Sequence, residues 1–183
     1  MAEQTAWARD TAAALLAPLG LRWAHTLGVA ERARTLAGLL PQGDLDVLVA
    51  AAYLHDVGYA PALARTGFHP LDGARFLRAL GRDRLACLVA HHSGARAEAQ
   101  ERGLLDQLEG FGDERSLVAD ALAYCDLTTA SDGGQIAVSQ RLADIAARFS
   151  DRDPVGRAIR RSRHELLARV RAVERALRSR CPG

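Results

Sequence analysis

The chain has no lysine. All 24 of its basic residues are arginines, which excludes a Schiff-base mechanism or catalysis by an ε-amine. Arginine is the better bidentate partner for phosphate or carboxylate. The bias therefore suits a phosphate ligand, although genome base composition accounts for it equally well. Cysteine is scarce: Cys87, Cys125 and Cys181 are odd in number, far apart and in no C-x-x-C spacing. They read as reduced thiols, two buried and one on a tail. Long apolar runs are missing too, since the longest, Val47 to Leu54, is far too short to span a bilayer. Met1-Ala-Glu-Gln offers no basic leader, and Arg9 and Asp10 interrupt the start. A soluble, cytoplasmic protein without a membrane partner is expected. The net charge of +2 is too small to argue for nucleic acid.

What is present is helical periodicity. At 183 residues the chain suits a single domain with a full-sized core. Trp23, Leu27, Ala30, Ala33, Ala37 and Leu40 recur at steps of three or four and predict a helix from about Leu21 to Leu40. Pro41-Gln-Gly43 breaks it, and Asp44 is expected to cap the next helix, whose apolar stripe runs through Leu45, Leu48 and Ala52 to His55. Pro70 suits the first turn of a helix to about Leu80, and Asp83 is expected to cap the one after it. Further helices are expected over Ala95–Gly103, Arg115–Ala130, Ala137–Phe149 and from Asp153-Pro154 to the C-terminus. No strand alternation and no internal repeat is found. An all-α, single-domain bundle follows, with its chemistry over about residues 20–130 and C-terminal helices over 137–180. Nine arginines fall between Arg157 and Arg180, but acids and apolar residues interleave them. They read as a solvated face or an oligomer contact such as a homodimer, not as a nucleic-acid surface.

Chemistry concentrates in the histidines. Five of the six lie between His25 and His92. The pair His55-Asp56 ends an apolar run, where two polar groups are costly to desolvate unless paired or bound to a metal. Each candidate has a plain alternative. His25 alone reads as a core histidine, His69 as a helix cap, His91 and His92 as surface residues at a helix C-terminus, and Asp126 as an acceptor for nearby threonines. Separate plain explanations for all of them are harder to sustain than one metal site. Mixed imidazole and carboxylate donors suit iron, manganese, cobalt, nickel or zinc rather than calcium or magnesium. His164 sits among arginines and reads as solvated.

The order His25, His55-Asp56, Asp126 resembles the HD superfamily of metal-dependent phosphohydrolases, an all-α family with the signature H…HD…D. His69 in Phe-His-Pro-Leu-Asp-Gly-Ala74 and His91 in Val-Ala-His-His-Ser-Gly94 match the two added histidines of its six-ligand, two-metal branch. Several strings are similar to bacterial HD-family dinucleoside tetraphosphate hydrolases: Arg22-Trp-Ala-His-Thr-Leu-Gly-Val29, Ala51-Ala-Tyr-Leu-His-Asp56, and the segments around His69 and His91. The resemblance implies two divalent transition-metal ions, iron first among the candidates. His25, His55, Asp56 and Asp126 would hold one, and Asp56 would bridge to a second on His69 and His91. His92 is then left to face substrate. Tyr59 stands where many members carry a phosphate-facing lysine, so any phosphate clamp falls to arginines: Arg65 and Arg96 in nearby loops, and Arg22 one turn before His25.

The expected function is hydrolysis of a phosphoester or phosphoanhydride, on a nucleotide or another small phosphorylated substrate. Two metals bridged by Asp56 would lower the pKa of a shared water, and Asp126 would help orient the nucleophile. Two other readings share these residues: an HD-domain diiron oxygenase and a non-catalytic nucleotide-binding module.

Overall fold

Helix α3 (Gln42–Leu54) is the centre of the molecule, and its sequence explains why. From Val47 to Leu54 it is apolar on every side, and a helix without a polar face must be covered all round. Its neighbours do this: α1 (Ala2–Leu16), α2 (Leu21–Arg34), α5 (Asp83–Ala90) and α8 (Leu117–Leu127) pack around it. The other helices are α4 (His69–Ala79), α6 (Ala95–Arg102), α7 (Leu105–Glu109), α9 (Val138–Arg148) and α10 (Pro154–Arg178). This computed structural model describes residues 2–150 and 152–180. Among them the only strand-like pairings are isolated bridges, Ala37 with Leu40 and Thr129 with Gln135. The protein is an all-α bundle. Within the described residues no helix is long and apolar enough to cross a membrane.

Several expected boundaries move for local reasons. The helix expected to reach Leu40 stops at Arg34, where the Thr35 hydroxyl bonds the Arg32 carbonyl at 2.7 Å and Gly38 turns the chain at φ +84°. Leu36 and Leu40 are still buried, but by a turn. Asp44 does not cap α3; it lies in the first turn, pairs with Arg84 at 2.9 Å, and favours the helix N-terminus by its charge. Asp83 likewise begins α5 without capping it, and faces Arg78. Asp153 does cap α10, accepting from the Val155 N–H at 2.8 Å. Helices α1 and α7 were not anticipated, and α1 buries only the narrow stripe Ala8, Ala12, Leu16 against the core.

Helix α10 lies across α6 and α8, burying Ala158, Ser162, Leu166, Val170 and Val173. Its arginines are partly consumed in doing so: Arg157 and Arg161 meet Glu101, and Arg169 meets Asp120 at 2.7 Å. His164 is exposed, as expected. Cys125 is buried in α8, and burial pushes its thiol up. Cys87 is half-buried, and Cys181 lies outside the described residues.

Two close approaches bring the elements of the centre together. Gly28 on α2 meets the Ser131–Gly134 turn so closely that a Cβ there would overlap the Gly133 carbonyl oxygen. Gly58, two residues after Asp56, lies against the start of α4, where a Cβ would overlap the His69 carbonyl oxygen. In both cases the obstacle is backbone, which cannot swing aside. Gly58→Ala is therefore expected to lower stability by about 2 kcal/mol or more, as overpacking does. Gly43→Ala, at an open helical position, should raise it slightly, because alanine is favoured over glycine in helices. Thermal unfolding of the two variants checks both signs.

Candidate metal centre

Each polar residue of the centre stands at or near a helix end. His25 lies on the inner face of α2, His55 and Asp56 follow α3, and His69 opens α4. His92 follows α5, and Asp126 occupies the last turn of α8. Helix ends give rigid supports with room for a side chain to reach inward. His25, Asp56, His69, His92 and Asp126 line one cavity of about 190 Å³. His55 is fully buried. Donor atoms of His25, His55 and Asp56 lie within 4.8 Å of one another, as do those of Asp56, His69 and His92. Asp56 belongs to both groups. Asp126 stands beside the first, its Oδ1 3.0 Å from His25 Nε2.

The histidine rings are oriented from behind. His55 Nδ1 donates to the Ala52 carbonyl at 2.8 Å, His92 Nδ1 to Val89 at 2.6 Å, and His25 Nδ1 to Ala130 at 3.0 Å. A carbonyl can only accept, so in each neutral ring the proton sits on Nδ1 and the Nε2 lone pair faces the centre. Acceptors therefore confront acceptors. His25 Nε2 faces Asp126 Oδ1, and His55 Nε2 is buried without a hydrogen-bond partner; His69 Nε2, 3.3 Å from both His92 Nε2 and Asp56 Oδ1, can serve as donor or acceptor, because no carbonyl fixes its tautomer. The approach of His55 Nε2 to Asp56 Oδ2, at 3.4 Å, is ionic in character. Arg22 answers Asp56 and Arg141 stands beside His25 and Asp126, but no cation of the protein bonds His55 Nε2, a donor atom open to a proton or a metal ion.

Electrostatics agree. Burial pushes the Asp56 carboxyl up, but the charges of His55 and Arg22 outweigh it and hold it well below the usual carboxylate range. Asp126 is likewise opposed by burial, yet its close contact with His25 and the nearby charges of His55 and Arg141 hold it well below the usual carboxylate range. Burial pulls His69 and His92 down, with help from neighbouring imidazoles, which leaves them neutral. His55 alone is pushed up, where Asp56 and Asp126 overcome burial. Ionised carboxylates and neutral imidazoles are the forms that bind metal.

The structure separates the two adjacent histidines. His91, matched to the second-metal position, turns away: its Nε2 donates to the Phe111 carbonyl at 2.8 Å, and the ring faces a separate cavity lined also by Arg96 and Arg115. His92, expected to face substrate, fills the place beside His69 and Asp56. The reason is backbone. α5 ends at Ala90, and the adjacent side chains at 91 and 92 diverge there; Ser93 and Gly94 then take left-handed conformations at φ +43° and +83°. Of the arginines expected near substrate, Arg65 is exposed and holds Asp72 through its backbone N–H, while Arg96 pairs with Glu109 at 2.7 Å. Neither lines the central cavity. Arg22 does: its Nη1 lies 2.7 Å from Asp56 Oδ2 and its guanidinium 4.0 Å above the Tyr59 ring. Tyr59 also stacks on His69, with centroids 3.9 Å apart, and so steadies that ring. Burial raises its phenol, which stays protonated.

Two residues of the cavity escaped the sequence reading. Arg141, on α9, is buried and reaches between His25 and Asp126. Ser93 carries a hydroxyl buried without a partner in the left-handed conformation just described. Arg141 is one of 24 arginines and has no local motif, although its spacing to Ile145 and Arg148 places all three on one helical stripe along the cavity.

Comparison with known proteins gives one match: the HD domain family covers residues 22–150. No curated protein and no solved structure matches the chain significantly.

The two adjacent histidines give a direct test. After loading with manganese and desalting, His92→Ala is expected to retain less metal than wild type and His91→Ala the same amount, measured by elemental analysis. Equal losses, or loss in His91→Ala alone, would restore the other assignment.

Proposed function

We propose that this chain, which belongs to the HD domain family, is a metal-dependent phosphohydrolase acting on a small phosphoester or phosphoanhydride, with nucleotides first among the candidates. The observation that carries the reading is the convergence of histidine lone pairs on Asp56 from two sides. The donor set fits divalent transition metals: the neutral imidazoles of His69 and His92, ionised carboxylates, and a buried His55 Nε2 with nothing to bond. His25, His55 and Asp56, closed by Asp126, would hold one ion; Asp56, His69 and His92 would hold a second. When bound, such ions supply Lewis acidity toward phosphoryl oxygens and lower the pKa of coordinated water.

The chain's own residues supply the rest. The backbone carbonyls of Ala52, Val89 and Ala130 fix the ring tautomers, which raises ligand basicity and holds geometry. Asp126 is ionised and borders the first group, where it can accept a proton from an attacking water. Arg22 and the Tyr59 ring close one side of the cavity over Asp56 and His69. Leu21, Ile145, Phe149 and Ile159 add apolar surface to the lining. A base or another flat organic group fits those side chains, with its phosphate toward the ions the two donor groups would hold. Tight water exclusion there would strengthen each charge interaction.

Wild-type protein loaded in turn with iron, manganese, cobalt, nickel and zinc is expected to release phosphate from some member of a panel of nucleotides and small phosphoesters. Asp56→Ala should fall to background while keeping its helical circular dichroism. Undiminished phosphate release by metal-free Asp56→Ala would refute the reading. Oxygen uptake coupled to substrate loss, with no phosphate released by any metal form, would move the site to redox chemistry.

A further inference from the structure

Arg141 is the least satisfied cation in the protein's interior. It is 6% exposed. Its Nη1 donates to the Ser131 hydroxyl at 3.2 Å, a neutral acceptor. Its Nη2 lies 3.7 Å from Asp126 Oδ1, beyond hydrogen-bond reach, and 3.5 Å from His25 Nε2. Its Nε is buried with no partner at all. A guanidinium has five N–H donors, and burying one with most of them idle costs several kcal/mol in real proteins. Most other arginines of the chain lie at the surface, many in ion pairs with nearby acids, as Arg84 does with Asp44 and Glu114. A structural role alone leaves this arrangement unexplained, because a residue there only to hold Asp126 would close to hydrogen-bond distance on it.

Charge arithmetic points the same way. The carboxylates of Asp56 and Asp126 are already matched by the guanidiniums of Arg22 and Arg141, one beside each. Any divalent ion entering the centre therefore brings positive charge that these two carboxylates do not neutralise, and Glu98, the other carboxylate on the cavity wall, is already paired with Arg102 at 2.7 Å. The compensation must arrive with the ligand, as an anion of more than one charge. Arg141 stands where that anion would be met, beside the first donor group and on the cavity wall.

We infer that Arg141 is the phosphate-binding residue of the site, donating to non-bridging phosphoryl oxygens. Tyr59 brings no charge, and the chain contains no lysine. The side chain comes from α9 and lines the same cavity as Tyr59 and His69. It acts by binding substrate and charge-assisted hydrogen bonding, not by proton transfer, since a guanidinium stays protonated. Arg148, seven residues on and lining the same cavity, lies about 10 Å further along the helix axis and is left for groups beyond the reacting phosphate.

This assignment rests on the phosphohydrolase reading, and the test separates the two. Metal-loaded full-length wild type, Arg141→Lys and Arg141→Met would be compared by calorimetric titration with inorganic phosphate, alongside elemental analysis and circular dichroism. Arg141→Met is expected to keep wild-type metal content and to bind phosphate at least tenfold more weakly, with Arg141→Lys recovering part of the loss. On whichever phosphoester proves a substrate, KM should rise more than kcat falls. Phosphate affinity unchanged in Arg141→Met would overturn the assignment. So would loss of metal in both variants, which would make Arg141 a support for His25 and Asp126. If Arg141→Met does not fold, Arg141→Lys with full metal and unchanged phosphate affinity and KM also overturns it. Should wild type hydrolyse no phosphoester while phosphate binding still depends on Arg141, the anion site stands and the hydrolase reading falls.

Discussion

Everything at the centre follows from burying one carboxylate. Asp56 is almost inaccessible, and an uncompensated ion at such depth costs several kcal/mol even after relaxation. Arg22 offsets this by direct contact and His55 by proximity, while the neutral rings of His69 and His92 border the same carboxylate. Those neighbours come from α2, α3, α4 and the segment after α5. Helices that share little sequence proximity are thereby obliged to end at one point. Hydrophobic packing gathers α1, α2, α5 and α8 around α3, and α4 packs on α5.

Much of this was legible in the sequence, and the reasons are specific. The histidines at 25, 55 and 69 lie at positions where helical periodicity is strong or is broken by proline and glycine, so their placement follows from pattern. Fold class was legible for the same reason. Expected caps at Asp44 and Asp83 failed because a carboxylate in the first turn can serve a helix equally by charge, and arginines claimed both, Arg84 from another helix for Asp44 and Arg78 from just upstream for Asp83. The narrow alanine stripe of α1 carries too weak a periodicity to be noticed. Arg141 was illegible because a buried arginine has no local signature: its burial comes from α9 folding back over the cavity, which depends on long-range contacts. Arg65 and Arg96 were drawn in by nearness in sequence, yet nearness along a loop says nothing about direction.

The two glycine contacts show how such a site is assembled without large apolar surfaces. Gly28 against the turn at Gly133 brings α2 onto the chain that follows α8, and so His25 onto Asp126 and the Ala130 carbonyl. Gly58 against His69 brings the end of α3 onto the start of α4, and so Asp56 onto the second group. In each case a missing side chain, not an added contact, sets the distance between donor atoms. That is a tight tolerance, because a metal centre is sensitive to displacements of about half an ångström.

His91 and His92 are chemically identical and joined by a single peptide bond, yet one faces the central cavity and the other a different one. Side-chain chemistry cannot tell them apart. The selection is made by the chain that follows, where Ser93 accepts a left-handed conformation that costs a non-glycine residue about 1 kcal/mol or more, and Gly94 continues it. The peptide between the two imidazoles is therefore a shared wall between two chambers. Any change of conformation at 93 or 94 alters both sides together, so the ligand set at the centre is written in backbone torsions as much as in the identity of its residues.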